Sequence, residues 1–240
     1  MNFRLPQRFT RSVRPLLIDR VERDHRQSDG AFRRRRIVVA VTLVVGATLL
    51  GVSLAARPGD PVFYYLTFGL AATWVIGGFA SGPLHLGRMS WRNALRRPIW
   101  APILLGMAAA AVFIVGSLIV AQIPPLRAFT EDVLAHVRFG SLPLVALITA
   151  LNGIAEEIFF RGALFAAIGV RNPVAISTGI YGLATVASGN PMLVFAAVVL
   201  GVVVGLQRRA TGGILAPILT HVTWSSIMLF VLPPLFSAVG

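Results

Sequence analysis

Seven apolar runs separated by short polar segments fill most of this chain, and they leave it one architecture. A backbone that enters hydrocarbon must satisfy its own N–H and C=O groups, so it crosses as a helix or as a closed barrel. These runs are continuous rather than alternating, and many approach the ~20 residues that a spanning helix requires. The runs are Ile37–Ala56, Val62–Ala80, Ala101–Ala121, Ser141–Val170, Pro173–Ala187, Met192–Gln207 and Gly213–Leu235. The expected fold is therefore all-α, a polytopic transmembrane bundle of about seven helices. Hydrophobic residues make up 56% of the chain and charged residues 13%, against roughly 25% charged in an average soluble domain. Ser141–Val170 is longer than a perpendicular crossing needs, so it is expected to tilt or to enter along the interface. Ala121–Gly140 ahead of it reads as an interfacial helix.

Charge orients the bundle. All 22 basic residues are arginine and the formal net charge is +13, a balance that in a soluble protein would suggest nucleic acid. Here the distribution argues for topology instead, and no nucleic-acid partner is expected. The first 36 residues hold 11 arginines, including the run Arg33–Arg36. They read as a basic cytoplasmic tail, attracted to anionic lipid, with an amphipathic stretch around Pro15–Arg26. With the N-terminus inside, Arg88, Arg92, Arg96, Arg97, Arg171, Arg208 and Arg209 also fall on the cytoplasmic side. Arg57, Arg127 and Arg138 fall opposite, as positive-inside sorting demands. A multi-pass protein of the plasma membrane follows, with the lipid bilayer as its first partner. The exclusive use of arginine points to a GC-rich, bacterial genome. Residues 1–36 are expected as the tail, 37–121 as N-terminal transmembrane helices and 122–240 as a core. The chain has no cysteine, which excludes disulfides and thiolate metal sites.

Within this apolar background stand Glu156, Glu157 and Arg161. Ionisable groups at membrane depth are expensive and mark a functional site by default. Glu157 and Arg161 are four residues apart, on one helical face, and are placed to pair. Glu156 points elsewhere, about 100° around the helix. One carboxylate can thus be held structurally while the other serves as a general base. A salt bridge that only holds helices together is the plainer reading of the same residues. The final run contributes His221, a single histidine in an apolar helix. Counted at ~1.5 Å per residue, it lies roughly 12 Å from the cytoplasmic end, near the depth of Glu157 and Arg161.

Glu156-Glu157-x-x-x-Arg161, then Phe165, then Gly212-Gly-x-x-x-Pro217-x-x-x-His221 in a closing helix, resembles the CAAX prenyl protease and bacteriocin-processing (CPBP, or Abi) family of intramembrane proteases. The similarity spans roughly Leu126 to Leu235. By that resemblance Glu156 is the glutamate that activates water, Glu157 assists or ligates, and Arg161 fixes the pair. His221 and the residue four further on, here Ser225 in place of the usual asparagine, bind a metal or stabilise the oxyanion. The family's middle histidine corresponds to Thr185, within Tyr181-Gly-Leu-Ala-Thr185. A divalent metal such as zinc is implied as a cofactor, and normally takes three protein ligands, for which Glu156, Glu157 and His221 are the candidates.

Two functions of different class follow. The first is a membrane-embedded endopeptidase acting on membrane-associated peptides, with Glu156 as base. The second is a catalytically impaired relative that binds membrane peptides or serves as an immunity or scaffold protein. A small proton-coupled transporter would call for paired broken helices or repeat symmetry, and the sequence shows neither.

Overall fold

The computed structural model describes residues 14–21, 27–91 and 94–238. Helix α1 is Asp29–Ala55 and α2 is Pro61–Ala80. A two-stranded antiparallel hairpin follows, β1 Met89–Trp91 with β2 Ala94–Arg96. Helix α3 is Trp100–Val120 and α4 is Pro124–Arg138. Helix α5, Leu142–Glu156, runs into a π-helical segment, Glu157–Leu164, and a short α6, Phe165–Ile168. Then come α7 Pro173–Val186, α8 Pro191–Thr211 and α9 Leu215–Ala238.

The helix starts are written in the sequence. Proline occupies the first turn of α2, α4, α5, α7 and α8, where its missing N–H would have no intrahelical partner anyway. Asp60 and Asn190 accept hydrogen bonds from the first backbone N–H groups of α2 and α8. Gly212, at φ 67°, ends α8 in the left-handed conformation that glycine adopts without steric penalty.

Among the described residues, six helices are long and apolar enough to cross a membrane, with α5 through α6 counted as one 27-residue span. The chain is thus an all-α, polytopic bundle, and a multi-pass membrane protein. The expected seventh span, Pro173–Ala187, is a 14-residue helix. At ~1.5 Å per residue it is about 21 Å long, short of the ~30 Å hydrocarbon core. It packs against α8, and since the C-termini of α6 and α8 line one cavity, α7 and the turn after it carry the chain back between them. Helix α1 starts eight residues before the expected Ile37 because Ser28 caps it. Arginine is a good helix former, so the Arg33–Arg36 run continues the helix while interrupting the apolar pattern. Of the amphipathic stretch around Pro15–Arg26, residues 22–26 lie outside the described residues, as do residues 1–13 of the tail and Arg92. Residues 14–17 are helical, and Leu16 is buried beside Met89 and Ala216.

Close backbone approaches set the packing. Helices α1 and α2 meet where Gly46 faces Trp74 and Gly77 faces Thr42. A Cβ at Gly46 would fall 2.1 Å from the Trp74 ring, and Trp74 is itself fully buried against Phe159 at 4.5 Å. Gly46→Ala is therefore expected to cost about 1–3 kcal/mol, the usual penalty for overpacking, read as a lower melting temperature in detergent. The α2–β1 connection lies along the turn between α8 and α9, with Ile214 and Leu215 N–H donating to the His85 and Leu86 carbonyls. Backbone contact at this crossing leaves no room for a Cβ at Gly213, which would stand 2.1 Å from the Gly87 nitrogen.

Candidate functional site

Every residue from Glu157 to Phe165 is buried. A stretch covered on all sides has no outward face for its charged members, so they must find partners inside the protein. The π-helical hydrogen bonding of Glu157–Leu164 widens the turns here, a deviation often found at functional sites. It begins at the second glutamate. Phe159 and Phe160 anchor the segment: Phe159 stacks on Trp74, and Phe160 packs at a tilt against Trp74 and, at 4.5 Å, against Tyr181.

Glu157 and Arg161 form the expected ion pair. Arg161 Nη1 donates to Glu157 Oε1 at 3.1 Å, and both side chains are 0% exposed. His221 Nδ1 lies 2.8 Å from the same Oε1. The α5–α9 contact that permits this is close: a Cβ on Gly153, one turn before Glu157, would meet Val222, His221 and Ser225 at 3.5–3.7 Å. Since the paired Glu157 carboxylate can only accept, Nδ1 donates to it. Nε2 then accepts in the neutral ring and donates in the imidazolium. Arg161 also donates to the Gly201 carbonyl and lies over the Tyr181 ring. Its own carbonyl accepts from Arg208 Nε at 2.6 Å. The cluster therefore ties the π segment to α7, α8 and α9. Glu157 Oε2 and Arg161 Nε are buried without a hydrogen-bond partner among the described residues.

Glu156 is held separately. Its Oε2 accepts a hydrogen bond from the Tyr181 hydroxyl, and unlike its neighbour it is only partly buried. Tyr181 thus touches both halves of the site: its hydroxyl holds Glu156 and its ring faces the Arg161 guanidinium. Sequence reasoning quoted Tyr181 without giving it a role. The signal was there, because a buried tyrosine usually needs a partner for its hydroxyl.

Thr185 is not positioned beside the glutamates by any hydrogen bond. It is buried, and its Oγ1 donates to the Tyr181 carbonyl at 2.8 Å, back along its own helix. Ser225 Oγ likewise donates to the Val222 carbonyl at 3.3 Å. It stands one turn beyond His221, on the Gly153 side.

The donors do not fit a zinc ion. Glu157 Oε1 is already shared between a guanidinium and an imidazole N–H, and a cation there would face Arg161 at close range. Glu156 is directed to Tyr181. Among the described residues no group of three or more His, Asp or Glu side chains is placed to hold a metal.

Residues 138–227 match the family model described as Type II CAAX prenyl endopeptidase Rce1-like. No curated protein and no solved structure gives a significant match. The matched segment holds the glutamate pair, Arg161, Tyr181 and His221 together, on the same helices that the geometry joins into one site. By this match residues 138–227, less than half of the chain, are similar to the Rce1-like family of CAAX prenyl endopeptidases.

Proposed function

We propose that the chain is a membrane-embedded endopeptidase that hydrolyses peptide bonds of membrane-associated peptides, with Glu156 as the base. The observation that carries this reading is the division between adjacent carboxylates. Glu157 is sealed in an ion pair, whereas Glu156 is partly exposed and held by a single hydroxyl. Glu156 takes a proton from water as the water oxygen attacks the scissile carbonyl carbon. The tetrahedral intermediate collapses with cleavage of the C–N bond, and the proton passes to the leaving amine. His221, oriented by its Nδ1 contact with Glu157, is assigned to the developing oxyanion, to which its Nε2–H donates when the ring carries both protons, a role of the kind that contributes most to acyl-transfer rates. Glu157 and Arg161 position His221 and the π segment. No step passes through a metal.

The arginine-rich helix ends support a cytoplasmic N-terminus in a plasma membrane, with residues 122–240 as the working core. The bilayer and a membrane-associated peptide are then the partners.

A peptide-binding relative with little turnover is the second reading, and Thr185 favours it. Its hydroxyl is committed to its own helix and supplies nothing to Glu156. Cleavage of membrane-associated peptides by purified protein in lipid separates the two. Turnover by the natural chain, lowered about 10–100-fold in Tyr181→Phe through loss of Glu156 alignment, supports the protease. An inert natural chain that gains cleavage on Thr185→His establishes the impaired relative.

A further inference from the structure

A second polar feature lies at the end of the bundle where the N-terminus of α1 meets the C-termini of α2, α6 and α8. It is a cavity of about 560 Å³, whose lining includes Arg35, Arg36, Arg171 and Arg208, with Asp29 and His85. We propose that this cavity binds a phosphate-bearing anion, supplied by an acidic phospholipid headgroup or by free phosphate.

Among the described residues, the guanidinium groups of Arg35, Arg36 and Arg171 line the cavity with Asp29 as the one carboxylate, a surplus of positive charge that suits an anion. Arginine suits this role because its planar fork donates two parallel hydrogen bonds to phosphate oxygens. Arg35 provides the observation that positive-inside sorting does not explain. An arginine that merely marks the cytoplasmic side extends its head into water, yet Arg35 is 3% exposed. Its Nε donates to Gln27 Oε1 and its Nη2 to the Pro83 carbonyl, both at 3.3 Å. Its Nη1 is buried with no hydrogen-bond partner among the described residues. A buried charged donor left unpaired is costly, and an oxyanion in the cavity would supply the missing acceptor.

The neighbouring guanidiniums are already oriented. Arg36 Nε donates to the Ala167 carbonyl with its guanidinium over the Phe32 ring, and Arg208 sits over Phe165. The volume suits a small ligand or a headgroup. Anionic headgroups are concentrated at the cytoplasmic surface, the side to which these arginines assign this end.

The full chain in nanodiscs provides the test. Binding of labelled phosphatidylglycerol is measured in a phosphatidylcholine background, with inorganic phosphate as competitor. Arg36→Gln/Arg171→Gln removes two exposed cavity arginines, whereas Arg33→Gln/Arg34→Gln removes the same charge beside the cavity. The cavity pair is expected to weaken binding about tenfold more than the control pair, because it loses directed hydrogen bonds as well as charge. Displacement by millimolar phosphate assigns the ligand to the free anion, and resistance to it assigns the lipid. Equal weakening in the two double variants, or binding of neither probe by the natural chain, overturns the proposal. Arg35→Gln, if it folds, should act in the same direction as the cavity pair.

Discussion

Arg161→Met is expected to leave little folded protein. Glu157 is fully enclosed and Arg161 is its one charged neutralising partner that needs no protonation change. Removing one member of a buried pair strands the other charge and typically costs about 3–5 kcal/mol, a large share of the 5–15 kcal/mol that keeps a typical domain folded. The loss is compounded here. Arg161 also donates to Gly201 of α8 and lies against Tyr181 of α7, so the α7–α8 pair is released from the π segment. The check is the melting temperature in detergent, together with the fraction recovered as a monodisperse species. Glu157→Gln/Arg161→Met removes both charges and should recover part of the loss. A double variant no more stable than Arg161→Met alone would show that the guanidinium acts through packing and not through charge.

The other large effect belongs to the neighbouring carboxylate and is chemical. Glu156→Gln keeps the shape of the side chain and an oxygen that can still accept from Tyr181, so the fold should hold within about 1 kcal/mol. Cleavage should fall by about 10²–10⁴-fold, the usual contribution of a positioned general base. The two glutamates are adjacent in sequence and chemically identical. Their opposite responses would come entirely from what surrounds them.

Much of this arrangement was legible in the chain. Apolar runs near 20 residues and the arginine asymmetry led to a helical bundle, since both follow from the bilayer's own thickness and charge sorting. Glu157, Arg161 and His221 could be joined because helical rise fixes depth. The pairing of residues four apart was equally readable. What could not be read was anything set by contact across helices. Hydropathy does not report length beyond the apolar run, so α1 reached back through Arg33–Arg36 and Pro173–Val186 is a helix of only 14 residues. The hairpin at Met89–Arg96 sits in a segment read as a polar loop, held where the chain runs along the α8–α9 turn. The π segment has no sequence signature independent of its packing. Thr185 shows the same limit most sharply. Register against a family motif drew attention to its position, while the hydroxyl that reaches Glu156 comes from Tyr181, one turn earlier. A motif compares residues in line, and a hydrogen bond is made wherever the side chain is long enough to arrive.

The central claim is that Glu157 maintains the structure and Glu156 performs the chemistry. Its most direct test is the cleavage rate per folded molecule of Glu156→Gln beside the natural chain, in the same lipid and on the same membrane-associated peptide. The expected result is a rate at least about a hundredfold lower from a protein that melts as the natural chain does. Cleavage at the natural rate by Glu156→Gln would contradict the claim and move the chemistry elsewhere in the site.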